Sequence, residues 1–184
     1  MPTKKRKKDT LFEFDPKHIL HLHRQLFLHG GINDASANFI KQNLVAFDIV
    51  SNQPITLWIT SPGGSCSAGL SIIEVMQRIK SPVITVISGE VASMASYISV
   101  CGDVRWAFLG SSIWMQHPLA SGQQDYLPFI KDRTAFLAKY NQIMIKLLQE
   151  HTKLTEEDYK KIEAGELWVF PDELISKGIV DKLI

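Results

Sequence analysis

Along the chain, apolar positions switch repeatedly between a two-residue and a roughly four-residue period. Gln25–His29 is a short strand-like run, Gly30-Gly31 a turn, and Asn33-Asp34 stands where a helix cap belongs. The helix that follows is predicted over about 35–49, with Phe39, Ile40, Leu44 and Phe47 inward. Gln53-Pro54 punctuates, and a β-branched strand over 55–60 stops at Ser61-Pro62-Gly63-Gly64. A helix over 67–80 carries Leu70, Ile73, Met76 and Ile79, and Ser81-Pro82 precedes an apolar strand over 83–88. Strand, helix and strand in this order make a βαβ unit, which implies a largely parallel, buried sheet with right-handed crossovers. Short strands are expected at 105–109 and 113–115. A long amphipathic helix over 127–151 is marked by Phe129, Phe136, Tyr140, Ile143 and Leu147. Helices near 155–164 and 171–177, the second closed by Gly178, lead to a last strand over 179–183.

The chain has 184 residues, 45% hydrophobic and 21% charged, with a mean hydropathy of zero, the balance of a folded enzyme or binding domain. Lys4, Lys5, Arg6, Lys7 and Lys8 form one run, and beyond them 15 basic groups face 19 acidic ones. The expected organisation is therefore a flexible basic arm over 1–16 and a single α/β domain over 17–184. That body is mildly acidic, which argues against a nucleic-acid groove. Cys66 and Cys101 are too few for a disulfide framework and point to a reducing compartment. The basic start runs into Asp9, Glu13 and Asp15 instead of an apolar stretch, so no secretory signal is expected. The apolar stretch 83–100 is long enough for a membrane span, but Glu90 and four serines make it a buried strand followed by a buried helix. His18, His21, His23 and His29 invite a metal reading. They alternate with Ile19, Leu20, Leu22 and Leu26 and lack a cysteine partner, so strand or loop histidines are expected and no metal.

Two places break the rules of a well-packed sheet. At 61–65, Ser-Pro-Gly-Gly-Ser follows a strand, where adjacent glycines can turn sharply and aim free N–H groups at an anionic oxygen. At 89–96, Gly-Glu-Val-Ala-Ser-Met-Ala-Ser again joins a strand to a helix, and a serine there can be held exposed as in a nucleophile elbow, without the G-x-S-x-G spacing. A serine hydroxyl needs a base. His117, in Trp114-Met115-Gln116-His117-Pro118-Leu119, is the natural candidate, and a satisfied core or surface histidine is the alternative.

In this order and at these separations, five blocks resemble the proteolytic subunit of the Clp protease. They are residues 61–65, Ala68-Gly69-Leu70, Gly89 with Ala92-Ser93-Met94-Ala95, Met115-Gln116-His117 followed by proline, and Gly178-Ile179-Val180-Asp181. The resemblance runs from about Arg24 to the C-terminus and includes the turn at 30–34. It implies a relative of the crotonase fold, a parallel-stranded α/β spiral with a protruding helical handle at about 127–151. It also implies Ser93 as nucleophile, His117 as base, and Gly64 and Met94 as oxyanion donors, with Gly63 shaping their turn. The family's third triad member is usually an aspartate; the resemblance places Glu166 there. A solvent-exposed turn carboxylate is the other reading of Glu166, and Asp172, which better caps the last helix, is the nearest substitute. Proline follows His117 directly, where the family commonly has one residue between, and the arm is a lysine run in place of the usual axial loop.

The function implied is a serine endopeptidase that cleaves unfolded polypeptides inside a barrel of two stacked heptameric rings. It would be cytoplasmic, would need no cofactor, and would touch neither membrane nor nucleic acid. An ATP-dependent AAA+ unfoldase is a possible partner, put in question by the altered arm. Two other readings remain at this point: a non-catalytic ring subunit, and a crotonase-type acyl-CoA enzyme that would not need Ser93 and His117 together.

Overall fold

In the computed structural model residues 15–119 and 127–184 are described, those at 127–133 by their backbone alone. Asp15 accepts the Lys17 N–H at 3.0 Å and Pro16 occupies the first turn, which starts α1 (Pro16–Leu22). After β1 (Gln25–His29), Asn33 caps α2 (Asp34–Val50) in a capping box with Ser36. In β2 (Ile55–Ser61), Ile55, Leu57, Ile59 and Ser61 are buried and alternate with half-buried residues. Ser65 caps α3 (Cys66–Arg78), which returns the chain to β3 (Val83–Ala92). There follow α4 (Met94–Val100), β4 (Val104–Ala107), β5 (Ile113–Gln116), α5 (Leu127–His151), α6 (Glu156–Ala164), β6 (Leu167–Val169), α7 (Pro171–Leu174) and β7 (Lys182–Leu183).

The strands form one path, β1-β2-β3-β4-β7, parallel throughout, as the βαβ spacing requires. β3 serves two neighbours in succession. Its first half, Ile84–Ile87, pairs with β4, and Glu90, Val91 and Ala92 pair with β5. Between them lies Gly89 at φ 93°, where the register with β2 also shifts, so the strand exchanges one neighbour for the other at this irregularity. β6 then adds to β5 antiparallel. This is the parallel-stranded α/β spiral expected, with one antiparallel edge.

Several details differ from the sequence reading. On α2 the inward face is Ala37, Ile40 and Leu44; Phe39, expected inward, is 48% exposed and lies against the His21 ring of α1. One helical position separates it from Ile40, which rotates it about 100° away from the core. Among the described side chains of α5, Met144 and Leu148 are fully buried, with Tyr140 and Leu147 packed beside them, while Phe136 and Ile143 are 57% and 51% exposed. The side chain of Phe129 and the basic run at Lys4–Lys8 lie outside the described residues. Helix α1 and strand β6 were not anticipated, and β7 is confined to two residues because Ile179 and Val180 turn back to the Leu174 carbonyl. The stretch 83–100 is β3 followed by α4, and among the described residues no helix is long and apolar enough to cross a membrane.

The edge of the sheet opposite the strand ends that matter below is tied by Arg24. This residue has φ 56°, and its guanidinium donates to the carbonyls of Phe47 at 2.7 Å, Gln53 at 2.7 Å, Ser51 at 3.1 Å and Pro54 at 3.2 Å, and to Ser81 Oγ at 3.0 Å. Replacing Arg24 by methionine keeps the stem and strips these carbonyls of their donor. It should lower unfolding free energy by about 3 kcal/mol, read from urea denaturation, and leave the chemistry at the far edge intact below the melting range.

Candidate active site

Open α/β sheets bind their ligands at the C-terminal ends of parallel strands, and here the turns after β1, β2 and β3 meet at that edge. The turn after β2 is clamped from both sides. Ser61 Oγ donates to Gly30 O at 2.6 Å and accepts the Gly63 N–H at 3.1 Å. Ile32 N–H donates to Gly63 O and Ser65 N–H to Ile32 O, each at 2.8 Å. Gly63 and Gly64, at φ 91° and 146°, pass through this clamp in conformations that side chains rarely adopt. A Cβ on Gly64 would collide with the Ile32 backbone. The Gly64 N–H has no hydrogen-bond partner among the described residues.

The turn after β3 holds Ser93 at φ 54° and ψ −126°, strained for a residue with a side chain. Its N–H donates to Met115 O at 3.0 Å, and its carbonyl accepts from the Ser96 N–H at 3.0 Å. Main-chain bonds thus fix the residue, while its hydroxyl makes no capping bond to α4 and stays half-buried. The next N–H, that of Met94, is also without a partner among the described residues. The fully buried Met94 side chain occupies a notch opened by Gly69 of α3, where a Cβ would lie 2.9 Å from its Sδ. The small residues of Ala68-Gly69-Leu70 therefore let α3 and α4 approach closely enough to bring the two turns together.

β5 delivers His117. Behind it Gln116 is 2% exposed yet fully engaged: Ser96 Oγ donates to its Oε1 at 2.5 Å, and its Nε2 donates to Tyr97 Oη at 2.7 Å and to His117 O at 3.0 Å. This buried network links the helix that follows Ser93 to the main chain of His117. The imidazole Nδ1 stands 2.6 Å from Pro118 O. Gly64, Ser93, Met94 and His117 line one cavity of about 160 Å³, walled on its apolar side by Cys66 and Tyr97. Burial pushes both the Cys66 thiol and the Tyr97 phenol up from their ordinary pKa, so both are neutral near pH 7 and neither competes as an anionic nucleophile.

The Clp protease family profile matches residues 8–184. The chain belongs to that family. It is similar to "ATP-dependent Clp protease proteolytic subunit 2" of Prochlorococcus marinus (strain NATL2A), 30% identical over 164 residues, 88% of this chain and 82% of the relative. It is also similar to "ATP-dependent Clp protease proteolytic subunit" of Carsonella ruddii (strain PV), 29% identical over 163 residues, 88% of this chain and 84% of the relative. Membership supports a Clp-type peptidase.

Within this family fold, Ser93, His117, Gly64 and Met94 share one cavity, and Gly63 lies directly beneath Ser93. Among the described residues no hydrogen bond joins Ser93 Oγ to His117. Glu166 sits one step beyond the Gln116–Leu167 pair of β5 and β6, beside His117 in register. Its exposed carboxylate accepts the Trp168 indole N–H at 2.9 Å and makes no bond to the imidazole. Asp172 is in the first turn of α7, where a carboxylate suits the helix terminus. The histidines His18 and His21 are on α1, His23 closes it and His29 ends β1; among the described residues no cluster of three or more metal-type ligands occurs. Sequence reasoning missed the supporting residues Gln116, Ser96 and Ser61. Their signal was a polar side chain inside an apolar run.

Proposed function

We propose that this protein is a serine endopeptidase acting on unfolded polypeptide segments. The observation that carries the reading is the cavity lined together by a strained serine, a histidine and two residues whose backbone N–H groups have no partner among the described residues. Ser93 Oγ attacks the scissile carbonyl carbon as His117 Nε2 takes its proton, and the carbonyl π pair moves onto the oxygen. Gly64 and Met94 N–H groups receive that oxyanion. The tetrahedral intermediate collapses, the C–N bond breaks, and the His117 proton goes to the leaving amine. Water, deprotonated by the same imidazole, then releases the acyl group and restores the Ser93 hydroxyl. The steps use side chains and main-chain N–H groups of this chain and one water molecule.

The two relatives are named as proteolytic subunits of an ATP-dependent protease. By extension this chain would assemble into stacked rings, heptameric by the family resemblance, with Phe136 and Ile143 of α5 offering apolar surface to a neighbouring copy. An ATP-dependent unfoldase would feed it. A rival reading, a non-catalytic ring subunit, draws on the missing bond between Ser93 and His117. A fluorophosphonate probe separates them. The peptidase reading expects stoichiometric labelling of the assembled protein that disappears in Ser93→Ala. An assembled protein that takes up no label is the scaffold.

A further inference from the structure

The imidazole of a serine hydrolase must carry its proton on the nitrogen turned away from the serine, and something must hold that proton. In this structure Nδ1 of His117 is 2.6 Å from the main-chain oxygen of Pro118. A carbonyl oxygen only accepts, so the proton between them belongs to Nδ1, and Nε2 is left with the lone pair that a base requires. Among the described residues, the carboxylate that strand register places beside His117 is Glu166, which accepts the Trp168 indole N–H with one oxygen and makes no bond to the imidazole. We propose that Pro118 is the positioning residue of this site, its carbonyl holding the His117 tautomer in the place where an acid would otherwise stand. The inference rests on the Ser93 and His117 reading above.

Three features make the carbonyl suited to this task. Proline fixes its own φ near −65° and confines the preceding residue to extended backbone, which leaves Pro118 ψ and the His117 side-chain torsions as the freedoms that aim oxygen and ring at each other. The main chain on the other side is pinned as well, because Gln116 Nε2 donates to His117 O at 3.0 Å. Pro118 itself is exposed, so its oxygen has no packing task that would draw it elsewhere. A neutral acceptor fixes the tautomer but stabilises the imidazolium less than a carboxylate does, so the site should be slower than one with a buried acid.

Glu166→Gln tests the inference directly, since the amide oxygen can still accept the Trp168 N–H. It should leave kcat/KM for a fluorogenic peptide within about threefold of wild type, the size of an exposed polar change. A fall approaching the roughly 10⁴-fold loss seen when a triad acid becomes its amide would overturn the proposal. Wild-type labelling by the fluorophosphonate is measured on the same preparation. If label is absent the serine reading itself fails; if label is present and Glu166→Gln is inactive, only the Pro118 inference fails. A second measurement weakens the carbonyl itself by replacing Leu119 with its α-hydroxy acid, which turns the 118–119 amide into an ester. The Leu119 N–H has no partner among the described residues, so little else is lost. The ester should lower kcat about three- to tenfold with KM unchanged, as expected for one weakened hydrogen bond. Unchanged kcat in the ester variant, or a ¹⁵N spectrum of the active protein showing the proton of neutral His117 on Nε2, would each refute it.

Discussion

Ser93→Ala is expected to slow hydrolysis of an unfolded peptide by about a million-fold, with no measurable change in melting temperature. The two halves of that statement have separate causes. The hydroxyl makes no capping bond to α4, and the residue is held through its backbone by Met115 and Ser96, so removing one oxygen breaks no hydrogen bond among the described residues. Alanine keeps the Cβ and therefore inherits the same strain at φ 54°. What is lost is the only atom proposed to form the acyl-enzyme bond. His117→Ala should be crippled to a similar degree. Because nucleophile and base act as one unit, the double variant should be no slower than either single one. A fluorogenic peptide assay on the assembled protein, run in single-turnover mode, reads all three. Additive losses in the double variant, or residual peptidase activity in Ser93→Ala above the background of the two N–H donors, would show that another group does the chemistry.

Much of the backbone of this candidate site is legible in the sequence. Adjacent glycines at 63 and 64 announce a backbone that needs unusual dihedrals, and the structure places them at φ 91° and 146°. Asn33 reads as a cap because its short side chain reaches the free N–H groups of a first turn, and it bonds those of Ala35 and Ser36. The parallel sheet follows from strand-helix-strand spacing alone. Other features depend on neighbours that a linear reading does not supply. Phe39 and Ile40 look alike in a helical wheel whose core direction is unknown, and the position of β1 and α3 selects Ile40. Strand β6 has three residues and exists because β5 offers an open edge to pair with. Gln116 looks like the end of an apolar strand, yet it is buried with both ends of its amide bonded, which only the meeting of α4 and β5 makes possible. The partner of the His117 ring is the hardest case. Strand register sets Glu166 beside His117 and chain adjacency sets Pro118 there, and the torsions of the two residues and of the ring decide which oxygen meets Nδ1.

The contact between the glycine turn and the serine turn leads to the second large effect, that of Gly63→Ala. A Cβ at this position would stand 2.7 Å from Ala92 O, 2.7 Å from Ser93 Cβ and 2.8 Å from Met94 N. None of these atoms is the end of a flexible side chain. Each belongs to the strained turn that presents the nucleophile, and Gly63 adds its own left-handed φ of 91°. Alanine must therefore push the two turns apart, separating the Gly64 N–H from the Met94 N–H and both from Ser93 Oγ. Displacing oxyanion donors from the position of the developing charge lowers kcat by about 100- to 1,000-fold while KM, set by contacts along the peptide, changes little. The overpacking itself should reduce unfolding free energy by about 1–3 kcal/mol, a shift small enough to leave the protein folded. Gly31→Ala is the matching control, because a Cβ there meets nothing within 4 Å. Steady-state kinetics on the two variants, with urea denaturation beside them, separate loss of catalytic geometry from loss of fold. Equal kcat values for Gly63→Ala and Gly31→Ala would mean that the turns do not build a common oxyanion site, and the peptidase mechanism drawn through Gly64 and Met94 would have to be abandoned.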